Sequence, residues 1–160
     1  GSLFAIARSE GCEVRHVKPH GALYNDAMRD AALARAIVGA VRSFSADLPV
    51  YCLPGSEVER AARDAGVAMV AEGFADRAYE PNGSLADRSL PGAVLHDSKS
   101  AAQQSIALAG GEITTRDGTN LRLQVGTICI HGDNPAAVPL AKAVREALEH
   151  AGYVIAPHWR

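Results

Sequence analysis

Short continuous apolar runs punctuate this chain, and between them apolar residues fall at helical spacing. Leu3, Phe4, Ile6 and Ala7 read as the tail of an amphipathic helix closed by Gly11, and Glu13–Val17 as a short strand ended by Pro19. Leu33, Ile37 and Val41, with Val38 beside them, predict a helix over 26–44 with Asn25 or Asp26 as its cap. Pro49–Leu53 reads as a buried strand. Ser56-Glu57-Val58-Glu59 has the form of a capping box and opens a helix that runs to Ala65, with Gly66 at its end. Val67–Ala71 is a third strand.

The stretch 72–96, with Gly73, Pro81, Gly83, Pro91 and Gly92, reads as the longest irregular segment. Asp97 is placed to cap a helix over Ser98–Leu108, stopped by Gly110-Gly111. Ile113–Arg116 and Leu121–Val125 flank Asp117-Gly118 as a hairpin, a small excursion from the main sheet. Thr127–Ile130 is again a run of the parallel-strand type. After it Val138, Ala141, Val144 and Leu148 form a helical stripe ending near Gly152; Pro135 suits a first turn, whereas Pro139 implies a displaced start. Tyr153–Ala156 reads as a last short strand.

Strands alternating with helices imply right-handed βαβ units on a parallel sheet. The order fits part of a β/α barrel or an open doubly wound sheet. Closing a (β/α)₈ barrel takes about 250 residues, and the chain has 160.

Composition narrows the class. A hydrophobic content of 48% with 5% aromatics suits one Ala-rich α/β domain. The net charge of −2, with cations scattered among acids, gives no footprint for nucleic acid or an anionic membrane. The sequence shows neither a membrane span nor a signal segment, and Cys12, Cys52 and Cys129 are odd in number and widely spaced. They read as buried, reduced thiols of a cytoplasmic protein and not as a metal site or disulfide frame. Gly1-Ser2 in place of an initiator Met reads as a tag remnant or a truncation.

In a parallel α/β fold the strand C-termini share one face, which is where ligands bind. Four polar clusters fall at such ends: Lys18 with His20, Gly55-Ser56, Glu72 through Arg77, and His131 through Asn134. His20 and His131 are candidates for acid–base work or metal ligation, against a structural imidazole. Asp133 is a candidate to orient His131 or hold a metal, or to cap the last helix, as is Asn134. Asp76 and Arg77 are candidates for a simple ion pair. Lys18 is placed to neutralise a carboxylate or phosphate, or stands as a solvated surface residue. Arg88 and Tyr79 are set to close over a substrate or to pin their segment. Ser56 lacks a nucleophile elbow and reads as a cap. Walker A, Gly-x-Gly-x-x-Gly, His-Glu-x-x-His and Cys-x-x-Cys patterns are missing, so any ATP is not held by a familiar phosphate loop.

The segments Val17–Asn25 (Val-Lys-Pro-His-Gly-Ala-Leu-Tyr-Asn), Phe74–Tyr79, Arg88–Val94 and Ile130–Pro135 together resemble the LamB/YcsF family. The match spans nearly the whole chain, residues 3–160, in the family's order, as one domain. The resemblance implies an incomplete β/α barrel of the glycoside hydrolase/deacetylase type with a mostly parallel sheet and the small hairpin as an insertion. It implies a subunit of an ATP-dependent 5-oxoprolinase, opening 5-oxoproline to glutamate with two partner subunits. The family's Asp/Asn-rich first strand and a Gly-Phe-His-Ala-Gly segment have no counterpart in the sequence, so the chain is expected to be truncated, to be inactive alone, and to self-associate or aggregate at its open edge.

On this reading His20 serves as acid/base, Asp76 or Asp133 orients water, and Lys18 and Arg77 hold a carboxylate or phosphate. Tyr24, Asn25, Arg88 and His131 complete the substrate-binding set, and a bound divalent metal stays open. The alternatives are a metal-dependent deacetylase of N-acetylated sugars and a non-catalytic subunit that holds substrate for its partners.

Overall fold

Helix α1 (Ser2–Ser9) ends at Gly11, whose φ of 68° is open to glycine at no steric cost, as the sequence predicts. The computed structural model describes residues 2–133 and 135–157. Gly1, of the Gly1-Ser2 pair, and Asn134, a candidate cap, lie outside the described residues. The chain divides into two units: residues 2–52 with 57–69, and residues 53–56 with 70–157.

In the first unit the helix expected over 26–44 is two helices, α2 (Gly21–Ala27) and α3 (Ala31–Phe44). The break follows from Asp30, whose Oδ1 accepts from the N–H groups of Ala32 at 2.8 Å and Leu33 at 3.0 Å. A cap that satisfies two orphan donors wins over the earlier candidates Asn25 and Asp26. Ala34, Val38 and Val41 face inward from α3 and pack with Val50, Cys52, Val58, Ala62 and Val67. Strand β1 (Val50–Cys52) is buried throughout, and α4 (Glu57–Ala65) begins directly after Ser56.

The strand expected over Glu13–Val17 contracts to a single parallel bridge, Val17 to Val50. Val17 donates to Pro49 O and its carbonyl accepts from Tyr51, while Val50 donates to Ala68 O. Three extended segments thus lie side by side as a parallel sheet requires, with Pro19 ending the first after one rung.

All but the first residue of β2 (Met69–Phe74) belongs to the second unit, and the strand runs further than expected, into the segment read as irregular. Its partner is β5 (Thr127–Cys129), parallel, with Glu72 opposite Thr127 and Phe74 opposite Cys129. Helix α5 (Ser98–Gly110) starts at Asp97, whose Oδ2 accepts from Ser100 N at 2.8 Å. The hairpin forms as predicted from β3 (Glu112–Thr114) and β4 (Asn120–Arg122) around Asp117-Gly118. Gly73 permits a close approach, since a Cβ there would stand 2.8 Å from a Leu108 methyl.

Helix α6 (Ala137–His150) starts late, so Pro139 falls in the first turn, where N–H groups have no intrahelical acceptor. Ala75, Ala101, Leu140, Val144 and Leu148 form a core beneath it. The last expected strand is absent: Tyr153–Ala156 takes no strand form. Gly152 turns at φ 86° and Tyr153 N–H caps the helix on Leu148 O, so that amide is committed to the helix end and not to a ladder.

Candidate functional site

The parallel register of β2 and β5 delivers two polar residues together. Phe74 lies opposite Cys129, the ladder continues by one bond from Ala75 N to Cys129 O at 3.0 Å, and Asp76 and His131 follow on their respective strands. The Asp76 carboxylate accepts from His131 twice: the backbone N–H reaches Oδ2 at 3.0 Å, and ring Nδ1 lies 2.9 Å and 3.0 Å from the two oxygens. The imidazole also stacks on Phe74, with centroids 5.6 Å apart and planes at 21°. The ring is held by its backbone, one nitrogen and one face.

Asp76 is 2% exposed. Burial alone raises a carboxyl pKa, but the bonds from the His131 ring and backbone outweigh it and hold Asp76 below its ordinary value. An ionised Asp76 accepts at Nδ1, which fixes the neutral imidazole as the Nδ1–H tautomer and leaves Nε2 with a lone pair. That is the arrangement of a general base with its orienting carboxylate.

Asp76, Arg88, Val94, His96, His131, Asp133 and Pro135 line a cavity of about 240 Å³. Arg88 Nη1 meets Asp133 Oδ2 at 3.2 Å, and that guanidinium holds the Asp133 carboxyl below its ordinary value. A larger, mainly apolar cavity of about 540 Å³ lies between α6, 125–130 and 153–156, with Arg145 as its one charged lining residue.

Several expectations are revised. Asp76 pairs with His131, where the sequence left it with Arg77. Arg77 is 3% exposed, and its guanidinium donates to Ala86 O at 2.5 Å and Ala93 O at 3.4 Å. It is occupied with folding 77–94 onto itself, helped by bridges from Arg77 to Val94 and Tyr79 to Leu85. Tyr79 pins its segment too: its hydroxyl accepts from Phe74 N at 2.7 Å, and burial raises its pKa. Asp133 does not cap α6, whose N-cap is Ala136.

The remaining candidates lie in the first unit. His20 is the exposed N-cap residue of α2, with extended backbone and no side-chain cap bond. Lys18 Nζ stands 5.6 Å over the Tyr24 ring, Tyr24 is buried, and the exposed Asn25 donates back to Gly21 O.

A residue the sequence did not flag stands behind Asp76. Gln104 of α5 directs Nε2 to Phe74 O at 2.6 Å, Ala75 O at 3.2 Å and Arg77 O at 2.7 Å. A lone Gln on a helix face carries no signal; only the register of α5 against the end of β2 reveals it.

Among the described residues no group of three or more His, Cys, Asp or Glu side chains stands in an arrangement that could hold a metal ion. The side chains around His131 do not fit a metal centre of their own. No helix among the described residues is long and apolar enough to cross a membrane.

Parallel β/α units with a carboxylate–imidazole pair beyond the strand ends define the chain as an α/β protein. The chain belongs to the LamB/YcsF family, whose model matches residues 1–160. It is 47% identical over 156 residues to the 5-oxoprolinase A subunit of Kocuria rhizophila, covering 97% of this chain and 62% of that protein. With the corresponding 5-oxoprolinase protein of Paracidovorax citrulli it shares 48% over 158 residues, covering 98% and 63%. A crystal structure of the lactam utilization protein from Thermus thermophilus superposes with a TM-score of 0.89 at 45% identity, covering 95% of this chain and 61% of that one. The chain thus spans somewhat over three fifths of the length of these relatives.

Proposed function

We propose that this chain belongs to a 5-oxoprolinase subunit that opens the lactam of 5-oxoproline to glutamate, in an ATP-dependent reaction shared with two partner subunits in the cytoplasm. The observation that carries the reading is the Asp76–His131 pair on the wall of one cavity with Arg88 and Asp133. The 5-oxoprolinase names of its relatives supply the substrate class.

A lactam resists water because its amide is a poor electrophile, and ATP supplies activation of that carbonyl. The residues here supply the remainder. His131 Nε2 takes a proton from the attacking water and returns it to the leaving nitrogen, while Asp76 holds Nδ1–H and stabilises the imidazolium. Arg88 offers a cation for the substrate carboxylate or the developing oxyanion, in exchange for Asp133. His96 faces the same cavity. Arg77 acts through the fold of its segment.

The test is ATP-dependent glutamate release from 5-oxoproline by the complete protein with its partners, wild type beside His131→Gln. Release that falls by ~10²–10⁴-fold supports the assignment. No release from a folded, assembled wild-type complex overturns the lactam reading, and full release by His131→Gln overturns the acid–base role.

A further inference from the structure

Consecutive carbonyls of an extended strand point to opposite sides, yet those of Phe74 and Ala75 both reach one amide. The backbone therefore leaves the strand at this point, and the ladder stops supplying donors. Beyond Ala75 N the β5 ladder ends, and Phe74, Ala75 and Arg77 carbonyls turn toward α5 instead. A buried carbonyl with no donor costs about as much as a lost hydrogen bond. Gln104 supplies two protons to three acceptors, so one is shared.

The residue between those carbonyls is Asp76. Its own carbonyl is fixed by Leu95 N at 2.9 Å, and Phe74 N is fixed by the Tyr79 hydroxyl. The carbonyls of Ala75 and Arg77, the residues on either side of Asp76, are thus tied to one part-buried side chain on a separate helix.

From this convergence we infer that Gln104 is a positioning residue for the Asp76–His131 pair: its amide clamp sets the backbone from which the carboxylate meets both the ring and the backbone N–H of His131. The inference rests on Asp76–His131 being the working pair. Two bonds from one carboxylate to one residue tolerate little displacement, since a shift of a few tenths of an ångström breaks one to keep the other. Arg77 and Tyr79 hold the far sides of the same segment, so removal of Gln104 loosens Asp76 without releasing 77–94.

The test is NMR on this chain with labelled aspartate and histidine. The groups facing the His131 ring are Asp76, Arg88, His96 and Asp133, so the Asp76 carboxyl is followed by its own carbon signal. In Gln104→Met, which keeps shape and removes both donors, the Asp76 titration is expected to move up toward the ordinary carboxylate value. The His131 Nδ1–H signal is expected to exchange at least 10-fold faster. Ser105→Ala serves as control: it removes a bond from Ser105 to Ala102 O on the same helix, lowers stability and leaves both signals in place. A Gln104→Met chain that loses stability while Asp76 titrates as in wild type overturns the inference and makes Gln104 merely structural. Should Gln104→Met not fold, Gln104→Asn, one methylene short of the carbonyls, gives the same two readings. Neither reading depends on lactam turnover, so failure of the clamp and failure of the proposed reaction are separate results.

Discussion

From sequence, His20 and His131 each stand just past a short apolar strand, and the resemblance gives the acid–base role to His20 and substrate binding to His131. The structure holds them differently. His20 stands exposed at the start of α2 with no cap bond from its side chain, whereas His131 is fixed by a buried carboxylate, a backbone bond and an aromatic face. Catalysis by proton transfer depends on geometry held before the substrate arrives. What separates the two imidazoles is the neighbouring strand: β2 brings Asp76 into register with His131.

The sharpest way to break this comparison is to remove each imidazole in the assembly proposed to release glutamate from 5-oxoproline. His131→Gln is expected to lower kcat by ~10²–10⁴-fold, and His20→Ala by about 10-fold or less. A reversed order would return the acid–base role to His20. Asp76→Asn leaves the ring in place but offers Nδ1 an amide, and should cost nearly as much as His131→Gln.

Next in size is Arg77→Leu. Its guanidinium is buried on two backbone carbonyls, and removal leaves both without a charged donor. A loss of about 2–4 kcal/mol is expected in urea unfolding. A loss below about 1 kcal/mol would mean that the guanidinium is free for a ligand, as the sequence suggested. Tyr79→Phe, which takes the acceptor from Phe74 N, is expected to cost about 1–2 kcal/mol.

Acid sharpens the contrast differently. In the folded chain the bonds from His131 hold the Asp76 carboxyl below its ordinary, unfolded value. Its contribution is therefore fully present above the unfolded value and is lost as pH falls through the folded one. Melting scans from pH 7 to 3 should show wild type losing an acid-side increment that Asp76→Asn lacks. Parallel curves would show that Asp76 is not stabilised as an anion.

How much of this was legible in the sequence follows from the range of each interaction. Local signals read correctly: Gly11 after α1, Asp97 before α5, Asp117-Gly118 in the hairpin and the apolar run that becomes β5. Asp30 was missed because Asn25 and Asp26 offer the same chemistry and only the backbone selects among them. The segment 72–96 looked irregular since its order comes from Arg77 and Tyr79 reaching across the chain, not from any period. Asp76, Asp133 and His131 were legible as polar residues at strand ends. Their pairing was not, because it needs the β2–β5 register, and Gln104 needs the placement of a helix as well.

The smallest expected effect on stability belongs to the other ion pair of the cavity. Arg88 and Asp133 meet at a single 3.2 Å contact with side chains 48% and 67% exposed. Water and salt screen such a pair, and two long side chains gain little by staying together. Asp133→Asn should therefore leave the melting temperature unchanged within error. Its effect should fall on KM, because an anionic substrate must displace Asp133 from Arg88, and the amide competes less well than the carboxylate. A lower KM with kcat nearly constant is the expected result, and it should fade in high salt. A kcat that drops as far as in His131→Gln would instead place Asp133 on the water, and the two carboxylates of the cavity would then share the chemistry assigned here to Asp76 and His131.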